Sequence, residues 1–274
     1  MIEKKRKILV MIILLGLSVF MLIPLWWLVR SSFMNQLEIL SVPVKWVPSS
    51  WKLHNFSEVL AEGNFWRSFG NSVFIAVCSM AGHVVSSSFV AFGFSRLNFK
   101  GKNFWFTLLM STMMLPATVL MIPQFIGWQA VGAYDTFFPL ILPCFFGNSF
   151  YIFMLRQFFN TIPNDYDNAA FLDGANYLTV YWNVILPMSK PVLTTVAVFS
   201  FMNAWNDFMG PLLYLESPKM KTISLSLQNY IGQYSNQWNL MMAYCLMAII
   251  PIIFLYFLAQ RFFTTGVSFQ GLKG

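Results

Sequence analysis

Charge is scarce in this chain. Asp, Glu, Lys and Arg make up 10% of its 274 residues, against about 25% in an ordinary soluble domain. A surface so poor in charge cannot be solvated by water alone, so lipid must cover most of it. Apolar residues make up 57% of the chain and the mean hydropathy is +0.61, which agrees. Cysteine is scarce too. Cys78, Cys144 and Cys245 all fall in apolar runs without CxxC or zinc spacing, which excludes a secreted disulfide framework and leaves them as small packing residues. His54 and His83 stand apart from each other and from any carboxylate cluster, so no metal site is read. No GxxxxGK[ST] occurs, so the chain cannot itself cradle ATP phosphates in that way. HExxH, GxSxG and paired intramembrane carboxylates are missing as well, which leaves an integral-membrane enzyme no nucleophile–base set or metal cluster to work with. A self-sufficient secondary transporter is disfavoured because no duplicated halves are visible. The net charge of +7 would point to nucleic acid in a soluble protein; here membrane topology explains it, and no nucleic-acid partner is expected.

What is present in abundance is long apolar runs. About 20 residues of helix cross a hydrocarbon core of roughly 30 Å. Six segments meet this approximately, near residues 8–29, 69–94, 104–125, 137–159, 191–214 and 240–263. The fold class is therefore all-α integral membrane, a single transmembrane domain over residues 1–274. Lys4-Lys5-Arg6-Lys7 before an apolar run resembles a signal peptide, but the run is too long and no small-x-small cleavage site follows. Pro24, Trp26 and Trp27 read instead as a helix end with an interfacial anchor.

The basic residues orient the spans. Lys4, Lys5, Arg6, Lys7, Arg96, Lys100, Lys102, Arg156, Lys190, Arg261 and Lys273 fall on one side; Arg30, Lys45, Lys52, Arg67, Lys219 and Lys221 fall on the other. The richer set places both termini, and residues 162–190, in the cytoplasm. Outside lie Arg30 to Arg67, with Trp46, Trp51 and Phe56 as anchors, and about Leu215 to Asn239. Neither is large enough for a folded domain of its own.

The polar segment 162–190 is too long for a tight turn. Pro163 suits a first helical turn, and Asn164, Asp165 and Asp167 put polar and negative groups near a positive helix end. Ala169, Ala170 and Ala175 are small enough for close approach to another protein. Asp173-Gly174 signals a break where glycine ends one short helix. Tyr177, Val180, Tyr181 and Val184 then recur at helical spacing, and Pro187 and Pro191 close the segment. Two short helices joined at a glycine make a rigid knob. An amphipathic hairpin on the lipid surface is the alternative. Against it, Asp165, Asp167 and Asp173 would be repelled by anionic headgroups, and no basic residue stands between Arg156 and Lys190.

With Ala169-Ala170, Asp173-Gly174-Ala175 and Leu186-Pro187, this segment resembles the coupling loop of bacterial binding-protein-dependent ABC transporter permeases, within their carbohydrate-uptake group. The resemblance covers nearly the whole chain, through Asn71-Ser72, Arg96 with Phe99-Lys100-Gly101, Ile122-Pro123, Arg156 to Phe159, Trp205 to Phe208 and the terminal Lys273-Gly274. Length and ending resemble the smaller, maltose-G-type permease. The resemblance implies a type I importer fold in a bacterial cell membrane, with a second permease completing the pathway. It also implies an ATPase dimer that binds ATP and Mg, an external solute-binding protein and a carbohydrate substrate. Asn168, Ala169, Ala170, Asp173, Gly174, Ala175 and Pro187 would then dock the ATPase. One position departs: the family's loop begins Glu-Ala-Ala, and here it is Asn168-Ala169-Ala170. The charge is lost there, and Asp167 is a candidate to compensate.

Within the spans, Asp207 is the sole acidic residue. Intramembrane carboxylates default to function, yet counting 1.5 Å per residue from Pro191 puts it about 24 Å along, near the edge of the core. It reads either as a transport-path residue or as a structural hydrogen-bonding group. Asn203, Trp205 and Asn206 suit either a sugar path or interfacial anchoring; Gln124, Trp128 and Tyr134 share that ambiguity. His83 near Ser86, Ser87 and Ser88 reads as helix packing before a proton relay.

Overall fold

The computed structural model describes residues 2–61, 64–231 and 237–268. In chain order its helices are α1 (Ile2–Ser32), α2 (Gln36–Ile39), α3 (His54–Ala61), α4 (Phe65–Arg96), α5 (Lys102–Ser111), α6 (Ala117–Ala130), α7 (Phe138–Ile141) and α8 (Ser149–Phe159). There follow α9 (Asp165–Leu172), α10 (Tyr177–Val180), α11 (Leu186–Met188), α12 (Lys190–Asn206), α13 (Met209–Tyr214), α14 (Ile223–Ser226) and α15 (Trp238–Ser268). Among the described residues, Arg6–Ser32, Phe65–Arg96, Phe138–Phe159 and Trp238–Gln260 are long and apolar enough to cross a membrane, and the count reaches six if each of two bent pairs is one span.

Proline sets the bends. The run expected at 104–125 is broken: Lys102–Met114 and Ala117–Ala130 meet at 96°. Leu115 is extended (ψ 119°) because the ring of Pro116 excludes the α region for its predecessor. The run at 137–159 is broken by a 3₁₀ turn, Leu142–Phe146, and by Gly147 at φ +89°. Asn148 restarts the helix, its side-chain oxygen accepting from the Phe150 and Tyr151 amides in a standard N-cap. The run at 191–214 pauses at Asp207, which is extended with ψ 123°.

The chain divides into two units, Met1–Trp66 with Ser226–Ile250, and Arg67–Leu225 with Pro251–Gly274. In the first, the apolar side chains of α1 from Ile8 to Ile23 are exposed, which suits a helix whose backbone bonds are internal and whose solvent is lipid. Its end is elaborately held. The Arg30 guanidinium lies 3.7 Å over the Trp27 ring and donates to the Lys45 carbonyl. Asn55 donates to the carbonyls of Ser32 at 2.8 Å and Met34 at 2.9 Å, and Phe33 packs on Trp51 and Phe56 at 5.0 Å each. The aromatic residues that follow α1 thus close over the helix end. Phe65 and Tyr230 pack around Tyr244 at 5.2 and 5.5 Å.

The second unit is built around one apolar cluster. Ala91 and Phe92 of α4, Tyr151, Ile152, Leu155 and Phe159 of α8, and Val192 and Val196 of α12 form it together with Ile162, Val180, Tyr181 and Ile185. The last four belong to the polar segment, so its inner face is core. Each such side chain, fully buried, contributes about 1.5–3 kcal/mol. At the far end of this unit Asp135, at φ +55°, accepts from the Glu216 and Ser217 amides at 2.9 Å and from the Ser217 hydroxyl.

Two outcomes follow from these clasps. Asn55→Ala strands two buried carbonyls and should cost about 1–3 kcal/mol, seen as a lower thermal midpoint in detergent; an unchanged midpoint would show that water replaces the amide. The Ser217 hydrogen bonds hold the Asp135 carboxyl below the usual carboxylate range. Its contribution is therefore present above the unfolded pKa and is lost as pH falls through the lower, folded value. Asp135→Asn should flatten that acid-side loss in a pH series of melts, and an identical acid profile in the variant would refute the assignment.

Candidate functional site

The knob read from the sequence is present, and its first helix ends as glycine dictates. In α9, Asp173 is the C-cap and Gly174 takes φ +82°. The Ala175 amide bonds the Ala170 carbonyl at 2.9 Å and the Gly174 amide that of Phe171 at 3.0 Å, the paired closure of a Schellman motif. Asn176 caps α10 by accepting from the Thr179 amide. Asn168, Ala169, Asp173, Gly174 and Pro187 are exposed, while Ala170 and Ala175 are half-buried. Leu172 is 90% exposed. The helix starts at Asp165, two residues beyond Pro163.

Arg96, at the end of α4, holds the start of this segment. Its Nε lies 2.7 Å from Asp167 Oδ2, Nη1 donates to Asn164 Oδ1 at 3.0 Å and Nη2 to the Ile162 carbonyl at 2.9 Å. Asp167 is buried and turned inward, so it does not offer a surface charge in place of the missing glutamate at Asn168. Burial pushes its carboxyl up, and the Arg96 guanidinium opposes that. Neighbouring cations close the same helix end: Arg156 Nε donates to the Phe94 carbonyl and Lys102 to those of Ser95 and Leu97.

A second tie is buried. The Tyr181 hydroxyl lies 2.7 Å from Ser88 Oγ, and its ring packs on Phe89 and Phe92 of α4 at 5.6 and 5.2 Å. Tyr181–Ile185 is a π turn, which often marks functional positions in helices. The widened turn shifts the phase, so the inner face is Val180, Tyr181 and Ile185, while Tyr177 is exposed and packs on Phe171 at 5.1 Å.

Further along α4, a cavity of about 740 Å³ lies within the second unit. Asn203, Asn206 and Asp207 line it; Trp205 does not. That indole is buried, stacked on Phe201 at 5.6 Å and edge-on to Phe69 at 5.7 Å. Asp207 accepts from the Gly210 amide at 3.1 Å, so it both bridges the break before α13 and faces the cavity. The remaining polar wall is cross-linked: His83 Nδ1 to Ser200 Oγ at 2.7 Å, and Asn203 Nδ2 donating to Tyr151 OH at 2.9 Å. The broken stretch from α7 to Asn148 forms another side. Non-helical backbone at membrane depth is tolerated only when buried in protein or lining a wet cavity. Here Ser86 Oγ lies 2.9 Å from the Cys144 carbonyl, Ser79 Oγ 3.4 Å from that of Leu140, and the Asn148 amide donates to Ser87 Oγ at 3.2 Å.

Residues 83–269 match the family model described as binding-protein-dependent transport system inner membrane component, and the chain belongs to that family. It is 31% identical over 254 residues to the arabinooligosaccharides transport system permease protein AraQ of Halalkalibacterium halodurans, covering 92% of this chain and 91% of that one. It is 30% identical over 257 residues to the probable starch degradation products transport system permease protein AmyC of Thermoanaerobacterium thermosulfurigenes, covering 94% and 93%. A solved bacterial ABC transporter involved in import of the acidic polysaccharide alginate has a chain of the same fold, with TM-score 0.83, 23% identity and coverage of 95% and 97%. The chain is thus an ABC importer permease, a transporter component rather than an enzyme.

Sequence reasoning did not find Ser79, Tyr151, Ser200 or Asn148 as wall residues. Ser79, His83 and Ser86 stand at i, i+4 and i+7, one helical face, and that polar stripe was the available signal. Glycine shows how closely the wall is fitted. A Cβ on Gly82 would come within 2.9 Å of the Phe145 ring and 3.1 Å of the Cys144 backbone, whereas Gly93 on the same helix has nothing within 4 Å. Gly82→Ala should therefore destabilise by about 1–3 kcal/mol, and Gly93→Ala should be neutral or stabilise by up to about 1 kcal/mol. Thermal melts of the two variants side by side check this; equal effects would refute the close approach.

Proposed function

We propose that this chain is one permease subunit of an ATP-driven carbohydrate importer in a bacterial cell membrane, contributing half of the pathway. In this reading residues 162–190 face the cytoplasm, as do both termini, and the knob docks on a partner ATPase dimer that holds ATP and Mg. A second, homologous permease completes the pathway and an external solute-binding protein delivers the substrate. The carbohydrate class draws on relatives named for arabinooligosaccharides, starch degradation products and diacetylchitobiose.

The observation that carries the docking role is the knob clamped by Arg96, rigid beneath and exposed on top. Closure of the ATPases would displace the knob. Arg96 and the Tyr181–Ser88 bond would pass that displacement into α4, which carries Ser79 and His83 of the cavity wall. The amide and hydroxyl groups there suit sugar hydroxyls, with Asn203, Asn206 and Asp207 as substrate-path residues. Trp205 would act from behind the wall by fixing α12.

Affinity purification of the tagged chain from its native membrane should recover a second permease and an ATPase. Leu172→Glu alters only an exposed side chain and should weaken ATPase recovery by about tenfold or more, as expected for an interface hot spot, while the second permease stays bound. Gly174→Arg should do the same. Undiminished ATPase in both variants would sink the docking assignment, and recovery of the wild-type chain alone would sink the importer reading.

A further inference from the structure

A second cavity, of about 570 Å³, opens between the α4–α5 connection and α8, with Lys102 and Arg156 on its wall. The two cations come from different helices and converge without a counter-ion. Among the described residues no carboxylate pairs with Lys100, Lys102 or Arg156. Lys102 spends two donors on the Ser95 and Leu97 carbonyls, leaving a third for the cavity. Arg156 uses Nε for the Phe94 carbonyl and rests its guanidinium plane 3.9 Å over the Phe106 ring. Its Nη groups have no protein partner among the described residues and are left as a two-pronged donor, the geometry that suits a phosphate or carboxylate. The amides of Asn98 and Asn103 complete a polar wall.

We propose that this cavity binds the phosphodiester headgroup of an anionic phospholipid. The flanking residues choose the lipid over a soluble phosphate or an acidic protein surface. Phe99, Phe104 and Trp105 are exposed beside the cations, and such aromatic rings belong at the interface between headgroups and acyl chains. Lys102 opens α5 and Arg156 lies in the last turn of α8, both apolar helices, and basic pockets between spanning helices bind anionic headgroups. The bound phosphate would neutralise two like charges that the protein leaves facing each other. It would also tie α5 to α8 at the point where both brace the end of α4.

The test uses the intact transporter complex, purified in detergent, stripped of lipid and titrated with dioleoylphosphatidylglycerol, with dioleoylphosphatidylcholine as control. Binding is followed by native mass spectrometry. The expected result is one retained phosphatidylglycerol per chain, with half-saturation shifted about fivefold by Lys102→Gln and at least as far by Arg156→Gln. Thermal melts in phosphatidylcholine nanodiscs check that each variant is folded. Equal phosphatidylglycerol binding by wild type and both folded variants would overturn the proposal, as would equal binding of phosphatidylcholine. Displacement by millimolar inorganic phosphate would assign the site to a soluble phosphate instead. Loss of a partner subunit with unchanged lipid binding would assign the cations to a protein contact.

Discussion

A helix that ends inside a folded unit leaves its last carbonyls unpaired, and here the C-terminus of α4 resolves that problem with two cations. Lys102 and Arg156 take the carbonyls of Ser95, Leu97 and Phe94. Arg96 is thereby released to reach outward, holding Ile162, Asn164 and Asp167 at once. The start of the polar segment, Ile162 to Asp167, takes its position from that reach. The pair with Asp167 is desolvated, so breaking it would leave a buried charge uncompensated, a loss of about 3–5 kcal/mol in comparable cases. That penalty fixes the knob in one place even though its outer face carries almost nothing that packs.

The same helix solves a second problem higher up. Prolines at 139 and 143 deprive the broken stretch of helical donors, and serines at 79, 86 and 87 on α4 pair with its Leu140 and Cys144 carbonyls and its Asn148 amide. The break in turn lets a polar cavity exist among apolar helices. Gly82 is the spacer that permits the approach. Backbone repair and a polar wall therefore meet on one helix: Ser79, which pairs with the Leu140 carbonyl, also lines the cavity beside His83.

Much of this was legible in the sequence, for physical reasons that differ by element. Long apolar runs announce spans because lipid demands them, and Gly174 announces a helix end because few other residues tolerate its backbone. The bends were signalled by Pro116 and Pro143 but not their angles, which depend on what packs around each break. Arg96 could be seen as a basic residue at a helix end, yet its partners lie more than sixty positions away in sequence, and no local pattern names them. Trp205 and Asp207 sit two positions apart in one motif and face different surroundings, one packed between α12 and α4 and one on the cavity. Periodicity failed at Ile185 because the π turn changes the period itself, and at Tyr177 because the first residue of α10 packs on Phe171 of α9 instead of on the core.

That π turn fixes an angle. An α-helix advances about 100° per residue, and the five-residue turn at Tyr181–Ile185 absorbs one extra residue before α11. The exposed side chains of Tyr177 and Leu178 point where they do because of that single insertion. Losing one residue here would turn Tyr177 and Leu178 by about 100° and carry Val180 and Tyr181 out of the apolar core with them. The direction of the exposed face is therefore geared to the core beneath it, and neither can be turned by a change in chain length without the other.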